Sequence, residues 1–292
     1  MTAALGGLGA ALVWSLGNVF AARAAHALGP MVTLAWVMLV GLAILAVALP
    51  LGGAPALSGS SALWLAIGGG GNVAGLLLLY RALRTGAMGV VMPLVSTEGG
   101  LAAVIAVIGG QSIKAATAGA MVLVVAGVIM TSPREGPDPA DEALVAGVRG
   151  LMRDDRRAAL IAAVAALSMS FSMYATGRAG SLVPAGWAVL PPRLIGVLVV
   201  TLPLFAARRL RRLGVAEAGW LAVAGACEVG GFLLYTLGAR TSIPVAAVLS
   251  SLTGAMGVGW GRLAFGERLA PLQLAGVAVI FAGVAVVSAT SA

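Results

Sequence analysis

The sequence predicts an all-α polytopic membrane protein, with ten transmembrane helices arranged as two inverted-topology five-helix repeats. Three observations lead there. The chain has 292 residues, of which 60% are apolar and 10% charged, whereas an average soluble domain carries about 25% charged residues. Glycines, prolines and charges cut it into ten continuous apolar segments, each near the roughly 20 residues that a bilayer core of about 30 Å requires. The two halves also repeat one another along a diagonal of the sequence.

The segments fall at about 4–22, 31–50, 61–82, 86–108, 115–132, 157–178, 184–206, 217–238, 243–263 and 271–289. Runs such as LAIGGGGNVAGLLLLY and LAGVAVIFAGVAVV are continuous, which excludes a β-barrel, whose segments of about ten residues alternate polar and apolar. No charged n-region and cleavage site precede the first segment, so that segment is expected to stay in the protein. One connection is long and polar, SPREGPDPADEALVAGVRGLMRDDRR. Its composition is that of a solvated linker. The expected organisation is therefore a first repeat over 1–132, a linker over 133–156 and a second repeat over 157–292.

At an offset of 156, NVAGLLLL (72–79) falls on EVGGFLLY (228–235), and ALRTG (82–86) on GARTS (238–242). GGQ (109–111) falls on FGE (265–267), AGVIMTS (126–132) on AGVAVVS (282–288), and Trp64 on Trp220. At an offset of 155, ALVWS (11–15) falls on ALSMS (166–170). Five spans per repeat is an odd number, so the second half must insert upside down. Such inverted repeats are the hardware of alternating access, with a substrate site near the midplane.

The net charge of +8 reads as the basic loops of a membrane protein and not as a nucleic-acid surface. With ten spans, fourteen arginines, among them Arg23, Arg81, Arg84, Arg208, Arg209, Arg211 and Arg212, lie on one side. Lys114, Arg178 and Arg240 lie on the other. The positive-inside rule makes the arginine-rich side cytoplasmic, which puts both termini outside and the long central loop inside. The one cysteine, Cys227, and the one histidine, His26, allow neither a disulfide framework nor a metal site, so no cofactor is expected.

LGGLGAALVWSLGNVFAARAA resembles the opening helix of EamA-type members of the drug/metabolite transporter superfamily. FGERLAPLQLAGVAVIFAGVAVV resembles the end of their repeat, and GGQSIKAATAGAMVLVVAGVIMTS is a degenerate copy in which Gln111 replaces the usual Glu. The resemblance implies ten helices around a central cavity lined mainly by the first, third, fourth, sixth, eighth and ninth. It also implies a multi-pass protein of the bacterial inner membrane that exports small metabolites, amino acids and aromatic amino acids among them.

Three ionisable residues lie well inside the segments: Glu98, Arg193 and Glu228. A charge at a helix centre costs roughly 2.5–3.5 kcal/mol on insertion scales, so such residues face the bundle interior or a wet cavity. A carboxylate there can avoid the cost by binding a proton, as a proton-coupled carrier requires. Arg193, after two prolines, is a candidate charge partner. Glu98 sits in MPLVSTEGG, where Ser96 and Thr97 add hydroxyls, and Pro93 and Gly99 supply a hinge and close approach. The matching stretch of the ninth segment carries Ser251 and Thr253. Trp14, Ser15 and Asn18, Asn72 and Tyr80, Ser168 and Ser172, and Tyr235 complete a set of candidate cavity residues. Aromatic rings beside small polar groups suit an amphipathic solute.

Alternative chemistries find little support. No aspartate lies inside a segment, and no H-E-x-x-H or Gly-Lys-Ser/Thr motif occurs, so neither an intramembrane protease nor ATP drive is expected. A proton-coupled exporter of lipophilic cations, and a passive channel or flippase, share the architecture and remain open at this point. Ten spans suffice for one transport pathway, so the chain is expected to act as a monomer among membrane lipids.

Overall fold

The computed structural model describes residues 1–49, 53–85, 91, 94–95, 97–131, 152–253, 255–256 and 271–290. Every regular element among them is helical: α1 (Thr2–Leu28), α2 (Pro30–Ala48), α3 (Gly59–Thr85), α4 (Glu98–Ile108), α5 (Ala115–Thr131), α6 (Met152–Gly180), α7 (Ala185–Ala206), α8 (Val215–Ala239), α9 (Ile243–Ser250) and α10 (Pro271–Thr290). Six are long and apolar enough to cross a bilayer: α1, α2, α3, α6, α7 and α8. The described parts of α4, α5 and α10 are shorter apolar helices, and α9 has eight residues. Large apolar side chains such as Val47, Ile108, Val122, Phe205 and Phe281 point outward, more than two-thirds exposed, as a lipid-facing surface requires. The chain is an all-α polytopic membrane protein.

Local chemistry sets the breaks. α1 ends at Gly29, whose φ of 86° lies in the left-handed region, and Pro30 opens α2 at a position where its missing N–H is not needed. Gly110, with φ 94°, turns the chain between α4 and α5. Ser242 caps α9 by accepting from the Val245 amide, with Pro244 in the first turn. α7 is irregular. Pro191 and Pro192 lie inside it and release the carbonyls of Trp187 and Ala188 from the helical ladder. A π turn then follows at Val197–Thr201. Thr201 ties that turn to α2 by donating to the Ala35 carbonyl at 2.9 Å.

The packing partners exchange regularly between the halves. α1 packs along α8, and α3 along α6; α1 meets α9 as α6 meets α4; α3 meets α7 as α8 meets α2; and α2 pairs with α7, α4 with α9, and α5 with α10. Small residues bring the main pairs together. A Cβ on Gly6 of α1 would lie 2.6 Å from the Gly238 Cα on α8, and one on Gly71 of α3 would lie 3.0 Å from the Ser168 carbonyl oxygen on α6. In lipid, helices gain nothing by hiding apolar surface from one another, so backbone approach and packing supply the adhesion.

Candidate functional site

Glu228, Phe232 and Tyr235 stand on one face of α8, spaced four and three residues apart. Arg193 comes to that face from α7, fully buried, with both Nη1 and Nη2 3.4 Å from Glu228 Oε1. The guanidinium lies 5.1 Å from the centre of the Phe232 ring, and Nη1 is 3.5 Å from the Met38 sulfur on α2. Its Nε has no hydrogen-bond partner among the described residues. The arginine crosses α2 at Gly41, where a Cβ would sit 3.0 Å from Arg193 Cδ and 3.3 Å from Nε. Two nitrogens sharing one oxygen at 3.4 Å make a looser pair than a bidentate fork at about 2.7–2.9 Å. The second oxygen of Glu228 has no partner among the described residues, and the side chain is 27% exposed.

Glu228 opens onto a cavity of about 110 Å³ lined by Trp14, Asn18, Thr33, Met38, Leu76 and neighbouring apolar atoms. Trp14 forms its wall. Its indole N–H donates to the Glu228 backbone carbonyl at 3.3 Å. Its ring meets Phe232 edge-on at 4.9 Å and lies nearly parallel to Tyr235 at 6.5 Å. Gly231 leaves room for the indole. The Thr33 hydroxyl is buried in the same region with no hydrogen-bond partner among the described residues. A buried polar group in that state calls for water or a ligand. Tyr235 is fully buried, and its hydroxyl is committed to the Met173 carbonyl of α6 at 2.8 Å.

Glu98 opens α4 and is partly buried. Its carboxylate has no hydrogen-bond or ion-pair partner among the described residues, and it lies within electrostatic reach of Glu228 and Tyr235. Its backbone carbonyl accepts from Ser170 at 2.9 Å. Gly99 faces α9, where a Cβ would lie 2.7 Å from the Ser251 Cβ. The two matched polar stretches of the fourth and ninth segments thus meet. Their hydroxyls turn back onto carbonyls three residues earlier in the chain: Thr97 donates to Leu94, Ser251 to Val248 and Thr253 to Ser250.

The set named from sequence is thereby divided. Trp14, Asn18 and Glu228 line the cavity. Ser168 and Ser172 do not: they donate to the Gly71 and Gly68 carbonyls and hold α6 against α3. Ser15 is fully buried and donates to Leu12, and Asn72 is buried with its Oδ1 unpartnered among the described residues. Pro93, Ser96 and the side chain of Tyr80 lie outside the described residues. The walls that α2 contributes, Thr33 and Met38, and the Phe232 ring were not among the sequence candidates. Phe232 was detectable, four residues after Glu228. In α2, apolar but for Thr33, only that threonine marked the inward face.

Among the described residues no cluster of His, Cys, Asp and Glu is arranged to hold a metal ion. A solved crystal structure superposes on the chain with a TM-score of 0.78 at 18% identity, covering 99% of this chain and 98% of that one. Likeness at that identity shows a shared fold. No curated protein sequence matches. The model of the EamA-like transporter family matches residues 1–132 and 156–289, leaving out little but the central linker. The chain belongs to the EamA-like transporter family of the drug/metabolite transporter superfamily, a family of non-catalytic membrane carriers of small metabolites.

Proposed function

We propose that the chain is a secondary transporter exporting small amphipathic metabolites, foremost aromatic or large neutral amino acids, by alternating access between two inverted five-helix halves, 1–132 and 157–292. The observation that carries this reading is the Glu228 carboxylate, one oxygen unpartnered, facing a cavity with the Trp14 ring and Asn18 in its wall. In it, Glu228 holds the ammonium group of the solute, Trp14 and Leu76 flank its apolar body, and Asn18 and the orphan Thr33 hydroxyl bind its polar end. Arg193 stands behind Glu228 and positions it. Glu98, without a cationic partner among the described residues, is the proton-binding group, and Gly99 lets α4 move closely past α9.

The exchange of packing partners between the halves and the division of the family match into two blocks support the inverted duplication. Ligand cavities of drug-sized solutes measure about 300–1,000 Å³. A cavity of about 110 Å³ is therefore the closed stage of a site that must widen as the halves rock. The proposed setting is the bacterial inner membrane, with both termini outside, the central loop cytoplasmic and the chain acting as a monomer.

A second reading, export of lipophilic cations, is favoured by the unpartnered carboxylate of Glu98. Counterflow in proteoliposomes separates the two. Vesicles preloaded with an unlabelled amino acid are expected to accumulate labelled tracer, most strongly for aromatic ones. Accumulation confined to cationic drugs would replace the amino-acid reading with the second one. Non-saturable equilibration without counterflow would make the protein a channel.

A further inference from the structure

Beyond α7 the chain reads ARRLRRLG over 207–214, and the structure sorts these residues by side. Leu210 turns inward among Leu34, Met38 and Val200. Leu213 turns inward among Ala24, Val37 and Leu221. Arg208, Arg209, Arg211 and Arg212 are all exposed. The backbone beneath them is ordered. The amides of Arg208 and Arg209 donate to the carbonyls of Phe205 and Leu204 at 2.9 and 2.8 Å, and the Trp36 indole donates to the Arg211 carbonyl at 3.2 Å. Arg208 takes a φ of 54° to make the turn.

Arg211 differs from the other three. Its Nη1 donates to the Ala27 carbonyl at 3.1 Å, at the end of α1, where unpaired carbonyls and the helix dipole favour a cation. Arg208, Arg209 and Arg212 form no ion pair among the described residues. Glu217, an acid at the same end, is folded back over Gly214 in the first turn of α8. The height of the cluster is also defined. Leu198, Leu202 and Phe205 on α7 are exposed apolar side chains, 59%, 48% and 69% accessible, and so face lipid tails. Arg208 lies two residues beyond the end of α7 and three beyond Phe205, so the cluster sits directly at the end of that apolar band. Trp36 and Trp220, half-buried at the same end, stand where tryptophans mark the membrane–water interface.

We propose that Arg208, Arg209 and Arg212 form a docking site for the phosphate headgroups of anionic phospholipids in the surrounding membrane, with Arg211 as the structural tie that presents them. The site follows from unpaired guanidinium groups held at headgroup height beside an exposed apolar face that takes the acyl chains. Because Leu210 and Leu213 pack against residues of α1, α2 and α8, which wall the cavity, a lipid held here steadies that end of the bundle. The inference does not depend on the solute carried.

The test uses the full-length protein in neutral detergent, with phosphatidylglycerol or phosphatidylcholine added, reading the thermal unfolding midpoint and the number of lipids retained by native mass spectrometry. Phosphatidylglycerol is expected to raise the midpoint and to be retained preferentially, less so as salt increases. At about 1 kcal/mol per arginine near an anionic surface, the variant R208Q/R209Q/R212Q should lose on the order of a hundredfold in that preference, with its midpoint in phosphatidylcholine unchanged. R208K/R209K/R212K should keep most of it. Equal response of the wild type to the two lipids would overturn the proposal, as would undiminished preference in the glutamine variant. An equal rise with inorganic phosphate alone would also overturn it, by making the cluster a free-anion site. If the glutamine variant does not fold, the wild-type comparison and the lysine variant still decide.

Discussion

Arg193 and Glu228 form an ion pair inside the helical bundle, with the arginine fully buried, the carboxylate partly open to a cavity, and one oxygen bonded at 3.4 Å to two nitrogens. The asymmetry matters more than the pairing. One oxygen is held by the protein and the other is left for something else. Removing either partner isolates a charge at membrane depth, and breaking a buried pair costs about 3–5 kcal/mol. Arg193→Met is therefore expected to lower stability by an amount in that range, and the double variant Arg193→Met/Glu228→Gln to recover much of it. Unfolding in detergent by heat or denaturant measures the cycle; a loss below about 1 kcal/mol in the single variant would show that the pair is not coupled.

Glu98→Gln is expected to insert and fold as the wild type does, because the carboxylate has no described partner to lose. The glutamine amide mimics the protonated acid, so the carrier should lose the part of its pH dependence that comes from this proton. Initial transport rates across a pH series check this. A wild-type pH profile in the variant would remove Glu98 from the proposed mechanism.

Trp14 makes two aromatic contacts and walls the cavity. An aromatic solute packed against the indole gains about 0.5–1.5 kcal/mol from that pair, so Trp14→Ala should weaken binding of an aromatic amino acid on the order of tenfold, while Trp14→Phe retains part of it. Half-saturation in the counterflow assay reports the difference. An unchanged value in the alanine variant would mean that the solute does not touch this wall.

Two glycines provide a contrast in packing. Gly6→Ala would place a methyl group 2.6 Å from the Gly238 Cα, backbone against backbone, and overpacking of this kind costs about 1–3 kcal/mol. Gly70 meets nothing within 4 Å, so Gly70→Ala should gain roughly 0.5–1 kcal/mol from helix propensity. Opposite shifts in unfolding midpoint are expected; shifts of the same sign would contradict the close α1–α8 contact.

Much of the fold was legible because insertion into lipid is decided locally. A span is a run of apolar residues long enough to satisfy its own backbone, and α1, α2, α3, α6, α7 and α8 could be read from such runs directly. The candidate site was legible in its chemistry but not in its directions. Glu98, Arg193 and Glu228 stood out because charge is costly at that depth, and Phe232 and Tyr235 follow Glu228 at helical spacing.

Other features depended on how the helices rotate against one another. Ser168 and Ser172 bond to carbonyls of α3 instead of lining the cavity, and Met38 and Gly41 turn inward beside Thr33 from a helix that is otherwise apolar on every side. In water, the polar face of a helix records which way it points. In a membrane, lipid-facing and protein-facing residues are equally apolar, so that record is lost. By itself the sequence determined that the chain is a membrane-spanning helical protein with three charges at membrane depth. The tertiary structure decided that Arg193 pairs with Glu228 and not with Glu98, because interhelical contacts, unlike hydropathy, are set by packing between segments distant in the chain.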